Sequence, residues 1–201
     1  MQLHLAGRTL IAAAALALAS APVLADGDPA RGKKLAYACM GCHGIEHYKN
    51  AYPKYSVPKL GGQSAAYVAA ALANYQAGAR WHPTMTGLAS SLSAQDRADL
   101  GAYFAGFAAV KPAAKPAGTA PAAAAACAAC HGADGVGTLP ENPTLAGQHA
   151  DYLAQALNDY RTGRRKNPIM GTFAAQLTKQ DIAAIAAYFA RQPGLATPQL
   201  D

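Results

Sequence analysis

Two short stretches, "CMGCH" at Cys39–His43 and "CAACH" at Cys127–His131, contain all four cysteines of the chain. Each sets two thiols three positions apart and closes on a histidine. On a helical turn that spacing brings the sulfurs to about the separation of the vinyl groups on neighbouring pyrroles of a haem. The next imidazole then faces the iron, so C-x-x-C-H is a c-type haem attachment signal. Cys39, Cys42 and His43 make one candidate site and Cys127, Cys130 and His131 the other. Two rival chemistries use C-x-x-C. A thioredoxin-like redox pair needs a βαβ context, and no stretch here alternates with period two for long enough to argue a sheet. A zinc clamp made from both pairs needs them drawn together across the 84 intervening residues.

A haem held this way needs a second axial ligand. Apart from Met1, the methionines are Met40, Met85 and Met170. Met40 lies between two haem cysteines and cannot reach the opposite face. Met85 and Met170 each stand two residues after a proline, in "HPTM" and "NPIM", where a distal thioether is expected. Thioether sulfur is soft and neutral, favours Fe(II) and raises the reduction potential relative to a second histidine. His82 is the rival for the first iron. Asn167 stands at its counterpart position, so Met85 is preferred, and His47, His82 and His149 are read as surface or loop residues. An iron closed on both faces binds no substrate, which points to electron transfer and away from catalysis at the haem.

The elements that must position these groups are written twice. At a constant offset of 85, Pro58, Gln63, Tyr67, Arg80, Pro83 and Met85 recur as Pro143, Gln148, Tyr152, Arg165, Pro168 and Met170. The C-x-x-C-H motifs repeat at offset 88, so the first half carries three extra residues in its loop. Between the halves runs "KPAAKPAGTAP", 111–121, a Pro/Ala-rich linker expected to be extended and semi-rigid. The expected organisation is a leader at 1–25, a first domain at 26–110, the linker at 111–121 and a second domain at 122–201.

Both halves read as helical. Asp28 caps a helix with Pro29 at its first position, running into Cys39. A second helix spans Ser64 to Ala77 and stops at Gly78, and its twin runs from His149 to Thr162 and stops at Gly163. A third opens at Ser93 with Asp96 three residues on, and at Thr178 with Asp181, each close to a capping box. Leu100, Tyr103, Phe104 and Phe107, and Ile182, Ile185 and Phe189, form apolar stripes that face a core. Two small domains with four Phe and one Trp between them are short of apolar bulk, which a haem in each supplies.

Residues 1–25 combine a polar start containing Arg8, the apolar run "LIAAAALALA" and "VLA" at 23–25, the pattern of a cleaved secretory signal. Ten apolar residues are too few to span a bilayer, which takes about 20. Export to an oxidising compartment is therefore expected.

These motifs make the chain similar to the dihaem cytochrome c4 family, tandem class I cytochrome c domains. "CAACHGADG", "PTLAGQHADYL" and "NPIM" carry the resemblance, which covers essentially all of 26–195. It implies an all-α fold of two domains related by a pseudo-twofold axis. It also implies two haem c groups and a role in the periplasm as electron carrier between membrane respiratory complexes, toward a terminal oxidase. The alternative is the cytochrome subunit of a periplasmic dehydrogenase complex, such as flavocytochrome c sulfide dehydrogenase. A dihaem enzyme in its own right ranks third. The resemblance further implies that the carbonyls of Pro58 and Pro143 accept the Nδ1 protons of His43 and His131. Arg80 and Arg165 keep register beside the methionines and are candidate contacts for haem propionates. The first half departs from the family pattern in its longer, Tyr/Lys-rich "GIEHYKNAYPKYSVPKLGG".

The formal charge of the chain is +6, and without the leader 16 basic face 11 acidic residues. Residues 26–110 hold 8 basic and 5 acidic groups, 117–201 hold 6 of each. Four propionates would nearly neutralise this excess, and "RTGRRK" is only a short cluster, so nucleic acid is a poor partner. The basic first half suits weak, salt-sensitive docking to an acidic protein or an anionic membrane surface. No small-molecule substrate is expected.

Overall fold

The structure, a computed structural model, describes residues 26–107 and 110–199. The expected leader at 1–25 lies outside the described residues. In chain order the helices are α1 (Pro29–Leu35), α2 (Tyr37–His43), α3 (Ala65–Gln76), α4 (Pro83–Ala89) and α5 (Ala94–Ala105) in the first half. A 3₁₀ turn (Ala122–Cys127) leads into α6 (Ala128–His131), followed by α7 (Ala150–Arg161), α8 (Pro168–Ala175) and α9 (Lys179–Ala190). Among the described residues there are isolated β-bridges and no longer strand.

The caps follow the sequence. Asp28 accepts the Ala30 N–H ahead of Pro29. Ser93 with Asp96, and Thr178 with Asp181, make complete capping boxes, each satisfying two orphan donors. One expectation needs correction: the first helix does not run unbroken into Cys39. At Ala36 the ladder tightens, with Cys39 N–H bonding the Ala36 carbonyl at 2.8 Å, and α2 starts as a separate helix. Two short helices escaped the sequence reading. α4 and α8 each start at the proline of "HPTM" or "NPIM", capped by His82 and Asn167 respectively.

In the first half α5 lies against α1 and α3, and in the second α9 lies against α7 and the 3₁₀ turn. The crossing of α1 and α5 is close enough to require glycine. A Cβ on Gly32 would sit 2.1 Å from the Asp99 carbonyl oxygen. Leu100 and Phe104 from the first apolar stripe meet Ala36, Met40 and Val68 in one core. Ile185 and Phe189 meet Ala124, Leu153 and Tyr188 in the other. Met40 is thus a core residue.

The halves meet through reciprocal contacts. Gln63 Nε2 donates to the Thr144 carbonyl at 2.9 Å, and Gln63 Oε1 accepts the Thr144 N–H at 2.9 Å. Gln148 Nε2 donates to the Lys59 carbonyl at 3.0 Å, and its Oε1 accepts the Lys59 N–H at 2.9 Å. These pairs exchange under the offset of 85, which is the mark of a twofold, isologous interface written within one chain. Segments outside the repeat reinforce it. Residue Ala196 exchanges two 3.0 Å backbone bonds with Gly61, so the C-terminal tail crosses back to the first half. The 111–121 segment lies along the second half, where Ala117 exchanges bonds with the Gln192 side chain.

Candidate haem centre

His43 ends α2, which carries Cys39 and Cys42, and His131 ends α6, which carries Cys130 and is preceded by Cys127 at the end of the 3₁₀ turn; both histidines are buried. His43 Nδ1 lies 2.8 Å from the Pro58 carbonyl oxygen, and His131 Nδ1 lies 2.9 Å from that of Pro143. A carbonyl only accepts, so the ring proton sits on Nδ1 and the Nε2 lone pair is left for a metal. Burial drives the His43 pKa down to about 4 and lowers that of His131, so both rings are neutral near pH 7. The four cysteines are free of disulfides, and burial raises the Cys39 and Cys127 thiols. Among the described residues no three His, Cys, Asp or Glu side chains converge, so the two C-x-x-C pairs do not form a four-thiol zinc clamp.

One continuous cavity of about 820 Å³ runs through both halves. It is lined by Cys39, Cys42, His43 and Met85 from the first half and Cys127, Cys130, His131 and Met170 from the second. The methionines are held at the third position of their helices. Asn167 Oδ1 accepts the Met170 N–H at 2.9 Å, and His82 Nδ1 accepts the Met85 N–H at 3.4 Å.

Arg80 and Arg165 line the cavity where the halves meet. Each guanidinium lies 4.5 Å over a tyrosine of its own half, Tyr75 or Tyr160. Each reaches a tyrosine of the other half: Arg80 donates to the Tyr152 hydroxyl, and Arg165 to that of Tyr67 at 2.6 Å. Burial alone would raise the Tyr67 phenol, but the charges of Arg165 and Arg80 override it and lower its pKa. Among the described residues neither arginine forms a salt bridge with a carboxylate. Two cations therefore line the cavity with tyrosine oxygens as their partners, an arrangement that leaves room for anions within it.

The sequence reading missed three features. His82, read there as a surface or loop residue, is only 7% exposed and lines the cavity. It caps α4 as Asn167 caps α8, but Asn167 is exposed, so the burial of His82 comes from what packs on it, including Tyr55 of the inserted loop. The extra loop folds back on itself through a Lys49–Ser56 bridge, and Ser56 bonds Asp151 of the second half. Finally, Gln63 and Gln148 complete hydrogen-bond chains across the interface. The peptide whose carbonyl faces His131 is the Pro143–Thr144 unit, and its N–H is taken by Gln63. The Pro58–Lys59 unit links His43 to Gln148 in the same way.

A cytochrome c family model matches residues 29–106 and again 117–192. Cytochrome c4 of Pseudomonas aeruginosa is 38% identical over 180 residues, 82% of this chain and 88% of the relative. The chain belongs to the cytochrome c4 family. The crystal structure of reduced cytochrome c4 from Pseudomonas stutzeri superposes with a TM-score of 0.64 at 32% identity, over 85% of this chain and all of that one. Two further likenesses carry a different name. A thiosulfate dehydrogenase electron acceptor of Stutzerimonas stutzeri is 34% identical over 202 residues, covering 90% of this chain and 93% of the relative. The thiosulfate dehydrogenase TsdBA of Marichromatium purpuratum matches with a TM-score of 0.66 at 33% identity, over 82% of this chain and 40% of that one.

As a member of the cytochrome c4 family the chain carries two haem c groups and transfers electrons. The residues present fit that cofactor. Each half brings two thiols, an imidazole with a free Nε2 and a thioether to one cavity, and the unneutralised arginines suit the propionates. No helix among the described residues is long and apolar enough to cross a membrane.

Proposed function

We propose that Cys39 and Cys42 attach the first haem and Cys127 and Cys130 the second. His43 and His131 are the proximal ligands, and Met85 and Met170 the distal ones. The haem units are then 26–110 and 122–201, joined by 111–121, with 1–25 removed on export to the periplasm. One observation carries the reading: both donor sets line a single cavity, each with its imidazole fixed in the ligating tautomer.

Bound haem supplies reversible one-electron chemistry at iron. The chain's own residues do the rest. The methionine and histidine of each half would hold the iron between them, leaving it closed to a substrate. Arg80 and Arg165, which line the cavity, would pair with the propionates. Leu88 and Phe173, repeat counterparts, line the cavity yet are exposed, giving each half an apolar contact for a partner. Exposed Lys33, Lys34 and Lys54 add charge on the first half that suits an acidic partner.

On this reading the protein is a periplasmic shuttle carrying single electrons between respiratory complexes, toward a terminal oxidase. A second reading, the electron acceptor of a periplasmic dehydrogenase, draws on the likeness to the thiosulfate dehydrogenase electron acceptor. The test begins with the purified holoprotein. Its intact mass should carry two covalent haems, and its ferric spectrum two thioether-to-iron charge-transfer bands. A vacant distal site on either iron overturns the reading. Stopped-flow oxidation by a membrane oxidase and reduction by thiosulfate dehydrogenase then separate the two roles, since the true partner must give the faster transfer.

A further inference from the structure

We infer that the segment 195–198, which follows α9 in the second half, is a positioning element for His43, the proximal ligand of the first haem. The inference rests on the ligation proposed above and gives a task to residues which that ligation does not use.

The acceptor for His43 Nδ1 is the Pro58 carbonyl at 2.8 Å, at the head of the loop 58–63. What holds this loop decides how firmly the carbonyl holds the ring. Gly61 donates its N–H to the Ala196 carbonyl at 3.0 Å and accepts the Ala196 N–H at 3.0 Å. The two backbones meet with no room between them: a Cβ on Gly61 would lie 2.9 Å from the Ala196 carbonyl oxygen. The same segment also reaches the chain on the other side of the histidine. A Cβ on Gly44, the residue after His43, would lie 3.3 Å from the Pro198 carbonyl oxygen. Leu195 and Pro198 are buried in making these contacts. The segment thus touches both pieces of chain that fix His43, the loop with its acceptor and the turn after α2.

The second half shows what the segment replaces. There Ala146, the counterpart of Gly61, donates its N–H to the Gly135 carbonyl at 3.0 Å, within its own half. Gly132, the counterpart of Gly44, also packs at home: a Cβ on it would lie 2.4 Å from the Val136 carbonyl oxygen. In the first half the three extra residues fall between His43 and Pro58, and that longer loop closes on itself at Lys49 and Ser56. The Gly61 N–H goes to Ala196 instead.

Consecutive peptides of the segment serve the two loops. The Leu195 N–H bonds the Ala146 carbonyl at 2.8 Å, and the Ala196 N–H bonds the equivalent Gly61 carbonyl at 3.0 Å. The second loop receives one bond from its own half. The first receives a reciprocal pair from the other half, so its ligand is the one that depends on the segment. A carbonyl that holds the Nδ1 proton firmly makes the imidazole a stronger donor and favours Fe(III). A loop released from 195–198 holds it less firmly, and the potential of the first haem rises.

Three variants separate these contacts. Deleting 196–201 removes both bonds to Gly61 and the Pro198 contact, yet leaves Leu195 on Ala146. Ala196→Pro removes only the N–H given to the Gly61 carbonyl. Ala196→Ser keeps both backbone bonds. Each is made in the Met170→His background, where the lowered potential belongs to the second haem and the upper component is therefore the first. In spectroelectrochemical titrations of the holoproteins, the deletion is expected to lower the Fe(III)/Fe(II) ratio of the upper component about two- to fivefold at fixed potential. At about 59 mV per tenfold for one electron, that is a rise of roughly 20–40 mV. Ala196→Pro should shift it less in the same direction, and Ala196→Ser should not move it. The Gly61 N–H of the reduced deletion variant should exchange faster with solvent deuterium, read by NMR. Faster exchange with an unmoved upper potential overturns the inference, because the segment is then a clasp between the halves and nothing more. A shift confined to the lower component, or an equal shift in Ala196→Ser, overturns it too. If the deletion variant fails to load haem, Ala196→Pro decides alone. Wild-type mass lacking two haems, or unsplit potentials in Met170→His, would instead defeat the ligation beneath it.

Discussion

Gln63 belongs to the first half, yet replacing it with alanine should perturb the second haem. Its Oε1 accepts the N–H of the same peptide whose carbonyl faces His131 Nδ1 at 2.9 Å. A peptide that donates at its nitrogen is a better acceptor at its oxygen, and such polarisation strengthens a bond by about 10–30%. On a gross bond strength of about 5 kcal/mol this is roughly 0.5–1.5 kcal/mol. If all of it bears on the basicity of His131, removing Gln63 makes the ligand a weaker donor and raises the second haem's potential. The upper limit is about 20–65 mV for one electron. Stability falls as well. Gln63→Ala strips partners from the N–H and the carbonyl of buried Thr144, at about 1–3 kcal/mol each, so about 2–6 kcal/mol in total. Potentiometry of the holoprotein reads the first effect and denaturant unfolding the second. Gln148→Ala is the mirror experiment and should move the first haem. A shift on the haem of the variant's own half, or destabilisation with both potentials unmoved, refutes the relay.

Met170→His should keep both covalent haems, lose one thioether charge-transfer band and lower one potential by a sizeable part of the ~0.8 V range that axial ligands span; visible titration checks it. Gly32→Ala puts a Cβ 2.1 Å from the Asp99 carbonyl oxygen and should cost about 1–3 kcal/mol or more, seen as a lower Tm. Asp99 accepts hydrogen bonds from the Asp28 N–H, Gln95 and Arg31, which hold its carboxyl below its ordinary value. A depressed folded pKa contributes stability that is complete above the unfolded value near 4 and is lost as pH falls through the folded one. Asp99→Asn should therefore weaken the fold at neutral pH and flatten its pH dependence below about pH 4, measured by denaturation across pH. Rates with an acidic redox partner should fall as ionic strength rises from about 0.01 to 0.15 M, and a flat response would remove the basic half from docking.

Sequence alone carried the chemistry of this protein because that chemistry is local. C-x-x-C-H is a spacing on one helical turn, and the methionines stand out through scarcity and repetition. Caps such as Ser93 with Asp96 are local as well, so helix starts were legible. The break at Ala36 was not, because it depends on the switch from four- to three-residue bonding at the turn into α2. The interface was invisible for a different reason. Offset 85 established that the halves are copies, but a copy can hang on its linker or face its twin, and no one-dimensional pattern separates these. Only the fold brought Gln63 to Thr144 and Gln148 to Lys59, or set Arg80 and Arg165 against each other's tyrosines. The fold also buried His82, since the burial of a side chain depends on what packs around it and not on its neighbours in the chain. That Gln63 bonds the peptide facing His131, and Gln148 the one facing His43, is a property of long-range packing.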